Sequence, residues 1–388
     1  DWQDSLTGDC VVRVGADGVI DNFGITETTT YHTANVIEKD ASGNYYIGGL
    51  FTAMNGGTAM NYIAQRGTSG TWAAMGGGLN DEVRAIKASA DGKIYIGGIF
   101  TNAGGIATAN SITRWTGTAF ESITTGGAAN GAVSAIEFSR TGDMYVGGDF
   151  TSIGGTATNY LARWDGSNWY PVSSGTAITG TQIYDIIPDP WGDGVIIAGD
   201  FTNVGGAAVN NYILRVTVTG GTAYGFTQID GASAPNGAVT SMHYDAELGR
   251  LYIFGSFTAI GSAPFAYAAY YDGASWRQLG GGFGDDPSAP NNITTSNGQA
   301  HFAGNVLTAG GVTLPDGFAT WTGNQWMAQK FDASGHTGKN VFYDNETGDL
   351  FWLGTITSAA TLGRTTITNT DYGDTYPTLV ITGPGTVY

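Results

Sequence analysis

Val-Gly-Gly-Asp-Phe-Thr, at residues 146–151, is the stretch that decides the fold, because close variants of it return along the whole chain. Successive copies, aligned on the second glycine, are by subtraction 49, 50, 51, 56, 49 and 50 residues apart. A unit that recurs at this spacing predicts a repeat architecture, in which each unit packs mainly on its neighbours. The aligned glycines are Gly49, Gly98, Gly148, Gly199, Gly255, Gly304 and, in a degenerate seventh copy, Gly354.

The third copy shows most clearly what one unit contains. Residues 133–138 alternate apolar and polar side chains, and a second apolar stretch follows at 144–150 after a Thr-Gly-Asp turn. A loop of small residues leads to a third predicted strand at 160–164, and a fourth follows an Asp-Gly hairpin signal at 168–172. Four short strands in a repeat of about fifty residues are typical of a β-propeller blade.

A tyrosine stands two residues before the glycine pair in the first three copies, at Tyr46, Tyr95 and Tyr145. Because glycine carries no side chain, a neighbouring blade can approach the strand closely at that point. We therefore expect the glycines to sit where blades meet and the tyrosines to pack between blades.

The seventh copy is incomplete, since residues 339–362 match only the first two strands of a blade. Residues 9–24 match a third and a fourth strand, so the two ends of the chain are expected to share blade 7. Such pairing would close the ring and remove exposed sheet edges. The sequence thus predicts an all-β, seven-bladed β-propeller of four-stranded blades over residues 1–364.

The composition excludes several classes of protein. Glycine supplies 63 of 388 residues, which together with frequent Thr and Asn favours strands and turns over helices. The formal net charge of −18 would repel a phosphate backbone, so no nucleic-acid partner is expected. No apolar run is long enough to predict a membrane span, and Cys10 has no second cysteine for an internal disulfide. The composition is common in extracellular and virion β-proteins, and we expect one of those locations.

The residues that carry catalysis elsewhere are scattered here. None of the four histidines, at 32, 243, 301 and 336, lies at metal-ligand spacing from another ligand, and no nucleophile elbow or P-loop occurs. Acidic turns at 189–193 and 285–286 lack the ligand spacing of an EF-hand, although carboxylates of this kind are potential Ca²⁺ ligands. We predict a non-enzymatic protein with no cofactor, leaving Ca²⁺ at these turns as an alternative to simple solvated turns.

Residues 365–388 form a C-terminal extension outside the repeat, rich in strand-forming residues. A lone β-segment is poorly stable in water, so the extension is expected to fold back, to pair with another molecule or to begin a further domain. The second possibility makes it an assembly interface that adds a strand to a neighbour's sheet and joins copies head to tail into a filament. The candidate interface residues are Thr378, Leu379, Val380, Ile381 and Thr382.

Two phrases in the third copy carry a resemblance to known proteins. Residues 147–155, Gly-Gly-Asp-Phe-Thr-Ser-Ile-Gly-Gly, and 159–169, Asn-Tyr-Leu-Ala-Arg-Trp-Asp-Gly-Ser-Asn-Trp, resemble kelch-like propellers over about residues 9–362. Residues 374–384 resemble the opening of a β-sandwich domain in tailed-phage tail components. The first resemblance implies architecture alone, because such propellers have many functions, and the second implies a virion tail or fibre.

These patterns favour a non-enzymatic structural subunit of an extracellular or virion fibre, joined head to tail through its C-terminal strand. The alternative is a soluble, secreted binding propeller that recognises a glycan or a protein through its loops. An enzyme with an active site at one end of the channel is a third and less favoured hypothesis, since the residues of such a site are missing from the motifs.

Overall fold

The computed structural model describes most of the repeat region and short pieces of both ends. The described residues are 6–7, 11–15, 20–22, 32–54, 58–124, 127–173, 178–202, 204, 211–219, 221, 223–231, 233–286, 292–314, 317–329, 336–356, 361–362, 364–366 and 380–382. Their regular structure consists of β-strands, which are paired throughout with antiparallel neighbours.

Five sheets, named B to F, have four strands each, and successive strands in the chain are neighbours in the sheet. Sheet B comprises Val83–Ala88, Ile94–Gly98, Ile112–Trp115 and Phe120–Glu121. Sheet C comprises Val133–Phe138, Met144–Gly148, Leu161–Trp164 and Trp169–Pro171. Sheet D comprises Thr179–Pro188, Val195–Thr202, Ile213–Thr219 and Ala223–Thr227. Sheet E comprises Val239–Asp245, Arg250–Gly255, Ala268–Tyr271 and Trp276–Gln278. Sheet F comprises Asn292–Ser296, Gln299–Ala303, Phe318–Trp321 and Trp326–Gln329.

Sheet A has eight strands and two halves. Its repeat half comprises His32–Lys39, Tyr45–Leu50, Ile63–Arg66 and Trp72–Ala74, and its terminal half comprises His336–Asp344, Asp349–Ile356, Val11–Val14 and Ile20–Asn22. In the terminal half, Val11–Val14 pairs antiparallel with Asp349–Ile356, so that strands from the two ends of the chain lie side by side.

The prediction of an all-β propeller with four-stranded blades is confirmed, but the prediction of seven separate blades is wrong. Apart from the two-stranded ribbons, the described residues form six sheets, five of four strands and one of eight. The difference arises because Thr355 and Ile356 pair with Thr33 and His32, which makes the two halves of sheet A one continuous sheet.

Six two-stranded ribbons complete the described strands. Four of them lie between the second and third strands of a repeat: Ala53–Met54 with Thr58–Ala59, Ser152–Ile153 with Thr156–Ala157, Ala259–Ile260 with Ala263–Pro264, and Thr308–Ala309 with Val312–Thr313. We call the end of the sheets that carries them the ribbon face. The other two pair Leu6–Thr7 with Thr361–Leu362, and Arg364–Thr366 with Val380–Thr382.

The two glycines of each pair make room for different neighbours. A Cβ atom added to Gly147 would lie 2.5 Å from Cγ2 of Ile183, which belongs to the next sheet. A Cβ atom on Gly148 would lie 2.0 Å from the carbonyl oxygen of Ala132, next to the bulge where the first two strands of sheet C shift register. The first glycine therefore admits the neighbouring sheet, and the second admits the backbone of its own sheet.

The hydrophobic core lies between sheets rather than within them. Tyr95 of sheet B packs in one cluster with Ile136 and Val146 of sheet C, and Tyr145 packs with Ile183 and further residues of sheet D. Both tyrosines are almost completely buried. Because each sheet buries its faces against its neighbours, the two ends of the sheets are left to present functional side chains.

Candidate functional site

The first strand of each repeat contacts the first strand of the next one, and His336–Asp344 contacts both Asn292–Ser296 and His32–Lys39. We call these contacting first strands the inner wall. Side chains on a strand alternate between its two faces, so polar residues of the inner wall can reach across to the neighbouring strand. The inner wall is therefore a candidate functional site.

A cluster of charged side chains lies on the inner wall across sheets A to D. Nζ of Lys87 lies 2.7 Å from Oε2 of Glu137 in the next sheet. Oε1 of Glu38 accepts a hydrogen bond of 3.1 Å from the backbone N–H of Ala88. Each of these contacts joins two successive sheets, so the cluster acts as a bridge between blades.

Asp185 extends this cluster to sheet E. Its Oδ2 accepts a hydrogen bond of 2.6 Å from the backbone N–H of Met242, and its Oδ1 accepts one of 2.8 Å from its neighbour Ile186. Both carboxylate oxygens are thus engaged with backbone donors, which compensates for taking the charge out of water.

Burial and neighbouring charges shift the pKa values in this cluster. Burial raises the pKa of Glu38 despite the opposing charge of Lys87, and burial raises the pKa of Asp185 to about 6. Burial alone would lower the pKa of Lys87, but the carboxylates of Glu137 and Glu38 outweigh it and raise that pKa. The cluster therefore holds a firmly protonated amine among three carboxyl groups.

Amide side chains make further bridges along the inner wall. Nδ2 of Asn35 donates to Oε1 of Glu82 at 2.8 Å, and Nε2 of Gln182 donates to Oγ of Ser134 at 2.6 Å. Nδ2 of Asn340 donates to the carbonyl oxygen of Asn35 at 2.7 Å, linking the terminal half of sheet A to its repeat half. These amide groups therefore join sheets, or the two halves of sheet A, to one another.

Two histidines lie in the region of sheets E and F. Nε2 of His243 shares a hydrogen bond of 3.1 Å with Oγ1 of Thr295 in the next sheet. The buried ring of His301 shares hydrogen bonds with Oγ of Ser296 at 2.8 Å and with Oγ1 of Thr320 at 2.9 Å. These partners are hydroxyl groups, which suit a neutral imidazole.

A buried ion pair lies where the two halves of sheet A meet. Nζ of Lys39 lies 2.8 Å from Oδ2 of Asp344 and 2.7 Å from Oε2 of Glu346, and the hydroxyl of Tyr45 donates to Asp344. Hydrogen bonds to Asp344 and Glu346 outweigh burial and raise the pKa of Lys39. Asp344 is almost fully enclosed, with 1% of its side chain exposed.

On the ribbon face, one side chain in several repeats clamps the Phe-Thr segment. Oδ1 of Asn80 accepts the backbone N–H groups of Thr101 and Asn102, both at 2.9 Å. Asn130 and Asn236 make the equivalent bonds in sheets C and E, and the carboxylate of Asp285 does so in sheet F. Nδ2 of the three asparagines also donates to the hydroxyl oxygen of that threonine, at 2.8 to 3.0 Å, which explains why a threonine follows the phenylalanine in those repeats.

A second feature of the ribbon face is a residue in the left-handed conformation at the start of the third strand. Its carbonyl oxygen accepts the N–H of the aligned glycine, and in the five non-glycine cases its own N–H donates to the carbonyl oxygen of the repeat phenylalanine. For a non-glycine residue this conformation costs about 1–3 kcal/mol. The residues and their φ angles are Tyr62 at 69°, Ser111 at 60°, Tyr160 at 67°, Tyr212 at 63°, Tyr267 at 66° and Gly317 at 69°.

The structure places part of the predicted assembly segment. Val380–Thr382 pairs with Arg364–Thr366 of the same chain, in the register Val380 to Thr366 and Thr382 to Arg364. Thr378 and Leu379 lie outside the described residues. The role of this segment in assembly stays a prediction.

The acidic turns have protein partners in the structure. Oδ2 of Asp189 accepts hydrogen bonds from Nε and Nη2 of Arg215 at 2.9 and 2.8 Å, and its Oδ1 accepts the backbone N–H of Trp191. The carboxylate of Asp285 accepts the backbone N–H groups of Leu307 and Thr308. Among the described residues, no group of three or more His, Cys, Asp or Glu side chains is placed to hold a metal ion.

The sheets and their inner wall define the class of protein: a β-propeller. A family model described as "Domain of unknown function (DUF5122) beta-propeller" matches residues 89–114, which include the second strand of sheet B. This match does not show that the repeats are of the kelch-like type. No curated protein matches the chain, and within the described residues no helix is long and apolar enough to cross a membrane.

Two solved structures are similar over most of the chain. One is the extracellular domain of the putative hybrid two component system BT4673 from B. thetaiotaomicron, with 13% identity and a TM-score of 0.53 over 89% of this chain and 40% of that one. The other is YCF48 bound to D1 peptide, with 13% identity and a TM-score of 0.51 over 90% of this chain and 96% of that one. At this identity, the similarity shows the fold alone.

We expect Lys39→Met to lower the free energy of unfolding by about 3 kcal/mol, because it leaves the buried carboxylate of Asp344 without its cation. Lys93→Met is the matched control, since Lys93 pairs with Asp91 on the surface and should change stability by less than about 1 kcal/mol. Urea unfolding followed by tryptophan fluorescence measures both. Equal effects of the two substitutions would show that the Lys39 pair does not join the halves of sheet A.

The buried histidines predict a loss of stability in acid. Burial lowers the pKa of His243 to about 4 against the opposing charge of Asp245, and burial with the charge of His243 lowers that of His301 to about 4. Because the folded pKa lies below the unfolded value of about 6.5, stability falls as the pH drops from there towards 4. Thermal unfolding between pH 7 and 4 should therefore show a shallower pH dependence in His301→Gln than in the unsubstituted chain. An identical slope would contradict the assignment.

Proposed function

We propose that the chain is a non-enzymatic structural propeller, a subunit of an extracellular or virion-surface fibre that joins its neighbour head to tail through its C-terminal extension. The observation that carries the proposal is the pair of strands Arg364–Thr366 and Val380–Thr382, which belongs to none of the blade sheets. A two-stranded pair is marginal in water by itself. Within the described residues neither strand pairs with a third one, so the pair is suited to accepting a strand from a second copy of the chain.

The proposal includes closure of the ring through the terminal half of sheet A. Pairing of Val11–Val14 with Asp349–Ile356 supports this view, because it gives that half four strands drawn from both chain ends. The Lys39–Asp344 ion pair and the Asn340 hydrogen bond to Asn35 support it too. A closed ring leaves loops and the extension as the parts that meet other molecules.

The inner wall supports a structural role in preference to catalysis. Its charged and amide groups, including Lys87, Glu137 and Asp185, bind groups of the neighbouring sheet. A catalytic group needs a polar atom directed at a substrate, whereas these atoms are directed at the protein. The extracellular location is likewise a proposal, supported by composition and by the similar propeller of BT4673, which is an extracellular domain.

A second candidate function is a binding propeller that recognises a glycan or a protein through its loops. It is favoured by the half-buried tyrosines on the ribbon face. The similar structure of YCF48 bound to D1 peptide supports a binding role for this kind of propeller. The two functions are compatible, because the extension and the ribbon face are separate parts of the chain.

A chain that ends at Arg364 tests the assembly role. Light scattering and negative-stain microscopy at matched concentration should show strings of discs for the full chain and single discs for the shortened one. Far-UV circular dichroism controls for folding, because the shortened chain keeps every blade strand. Ile381→Pro in the full chain removes one backbone donor from the strand and should shorten the strings. If the full chain is monodisperse and monomeric, strand donation is wrong and the binding role takes its place.

A further inference from the structure

The left-handed residues of the ribbon face point to a ligand site. Their backbone role needs only an N–H and a carbonyl group, and Gly317 performs the carbonyl part in sheet F, where its oxygen accepts the N–H of Gly304 at 2.9 Å. Glycine adopts this conformation without strain, so a tyrosine is not required for the turn itself. Four repeats nevertheless carry tyrosine there, at Tyr62, Tyr160, Tyr212 and Tyr267.

The tyrosine side chains have features of a binding surface. Each ring is half-buried and packs against a hydrophobic cluster between sheets, which holds it in place. Within the described residues, the hydroxyl groups of Tyr62, Tyr160, Tyr212 and Tyr267 make no hydrogen bond. A fixed aromatic ring with an unused hydroxyl can offer an apolar surface and a hydrogen bond to the same ligand.

Amide side chains stand beside two of these tyrosines. Nδ2 of Asn61 donates to the carbonyl oxygen of Gly77 at 3.2 Å, and Nδ2 of Asn159 donates to that of Ile178 at 3.4 Å. In the described part of the chain, Oδ1 of each asparagine accepts no hydrogen bond, which leaves an acceptor next to the tyrosine. Asn159 and Thr158 also line a pocket of about 170 Å³, smaller than the cavities that hold drug-sized molecules.

The chemistry of these groups selects the ligand. Tyrosine, asparagine and threonine are uncharged, and the net charge of −18 opposes any polyanion. An aromatic face suits the C–H groups of a sugar ring, while hydroxyl and amide groups suit its hydroxyls. The same arrangement at several repeats of one face suits a polymer, because linked weak contacts raise the overall affinity.

We propose that the ribbon face binds a neutral polysaccharide, with Tyr62, Tyr160, Tyr212 and Tyr267 as separate contact points for successive parts of one polymer. The inference rests on the binding role, the second of the two functions above. It is argued independently of assembly, since the four tyrosines lie outside the extension.

Affinity electrophoresis of the full chain in native gels tests the proposal, with dextran, laminarin, galactomannan or hydroxyethylcellulose in the gel and alginate as the anionic comparison. At least one neutral polymer should retard the chain, and alginate should not. Replacing all four tyrosines by phenylalanine removes only the hydroxyl groups, and should weaken that retardation at least about tenfold through loss of linked contacts. Tyr170→Phe is the matched control, because Tyr170 donates to Asp165 beside the turn between the third and fourth strands of sheet C.

The proposal is overturned if none of the four neutral polymers retards the chain, or if the quadruple variant binds as tightly as the unsubstituted chain. Tyr160→Phe with Tyr212→Phe is a milder variant, to be used if the quadruple variant loses its circular dichroism spectrum. Light scattering on the same samples reports assembly separately, so a failure of binding leaves the fibre proposal standing and a failure of assembly leaves this one standing.

Discussion

The absence of space between neighbouring sheets is the constraint on which the structure depends. Where the second strand of sheet C faces sheet D, a single added Cβ atom at Gly147 would meet Ile183 at 2.5 Å, and the same contact recurs at Gly48 with Val83 and at Gly97 with Val133. Close-packed interiors do not tolerate even one extra methyl group without a shift of their neighbours. The first glycine of each pair therefore permits the close approach of the next sheet.

Close stacking has two consequences for function. It brings the first strands into contact, so Lys87 and Glu137, or Asp185 and the backbone of Met242, meet across sheets and give the inner wall a structural role. It also removes the faces of the sheets from solvent. The ends of the sheets and the C-terminal extension are among the parts left to meet other molecules, and the proposals concern the ribbon face and the strand Val380–Thr382.

Much of the fold was predictable from the sequence, because most blades are formed by one continuous stretch of the chain. The second strand of sheet C was predicted at 144–150 and lies at Met144–Gly148, and the buried Tyr145 packs between sheets as expected. The merging of two blade-sized units into sheet A was not predictable, since it depends on backbone pairing of Thr355 with Thr33, distant in the chain.

The charged cluster was not predicted either, because its residues are also distant in the chain. Glu38, Lys87 and Glu137 are 49 and 50 residues apart, and only their shared position in successive repeats signals that they meet. The left-handed tyrosines carried no sequence signal, because the conformation is usually marked by glycine.

The stability of Gly147→Ala compared with that of Gly67→Ala tests most directly whether close approach of the sheets depends on the glycines. A Cβ atom on Gly67 would come no closer than 3.7 Å to another atom, so that substitution controls for the loss of a glycine as such. Gly147→Ala is expected to lower the free energy of unfolding by about 1–3 kcal/mol in urea, whereas Gly67→Ala should change it by less than about 0.5 kcal/mol. Equal stability of the two variants would contradict the claim that close approach at the glycine pair holds the sheets together.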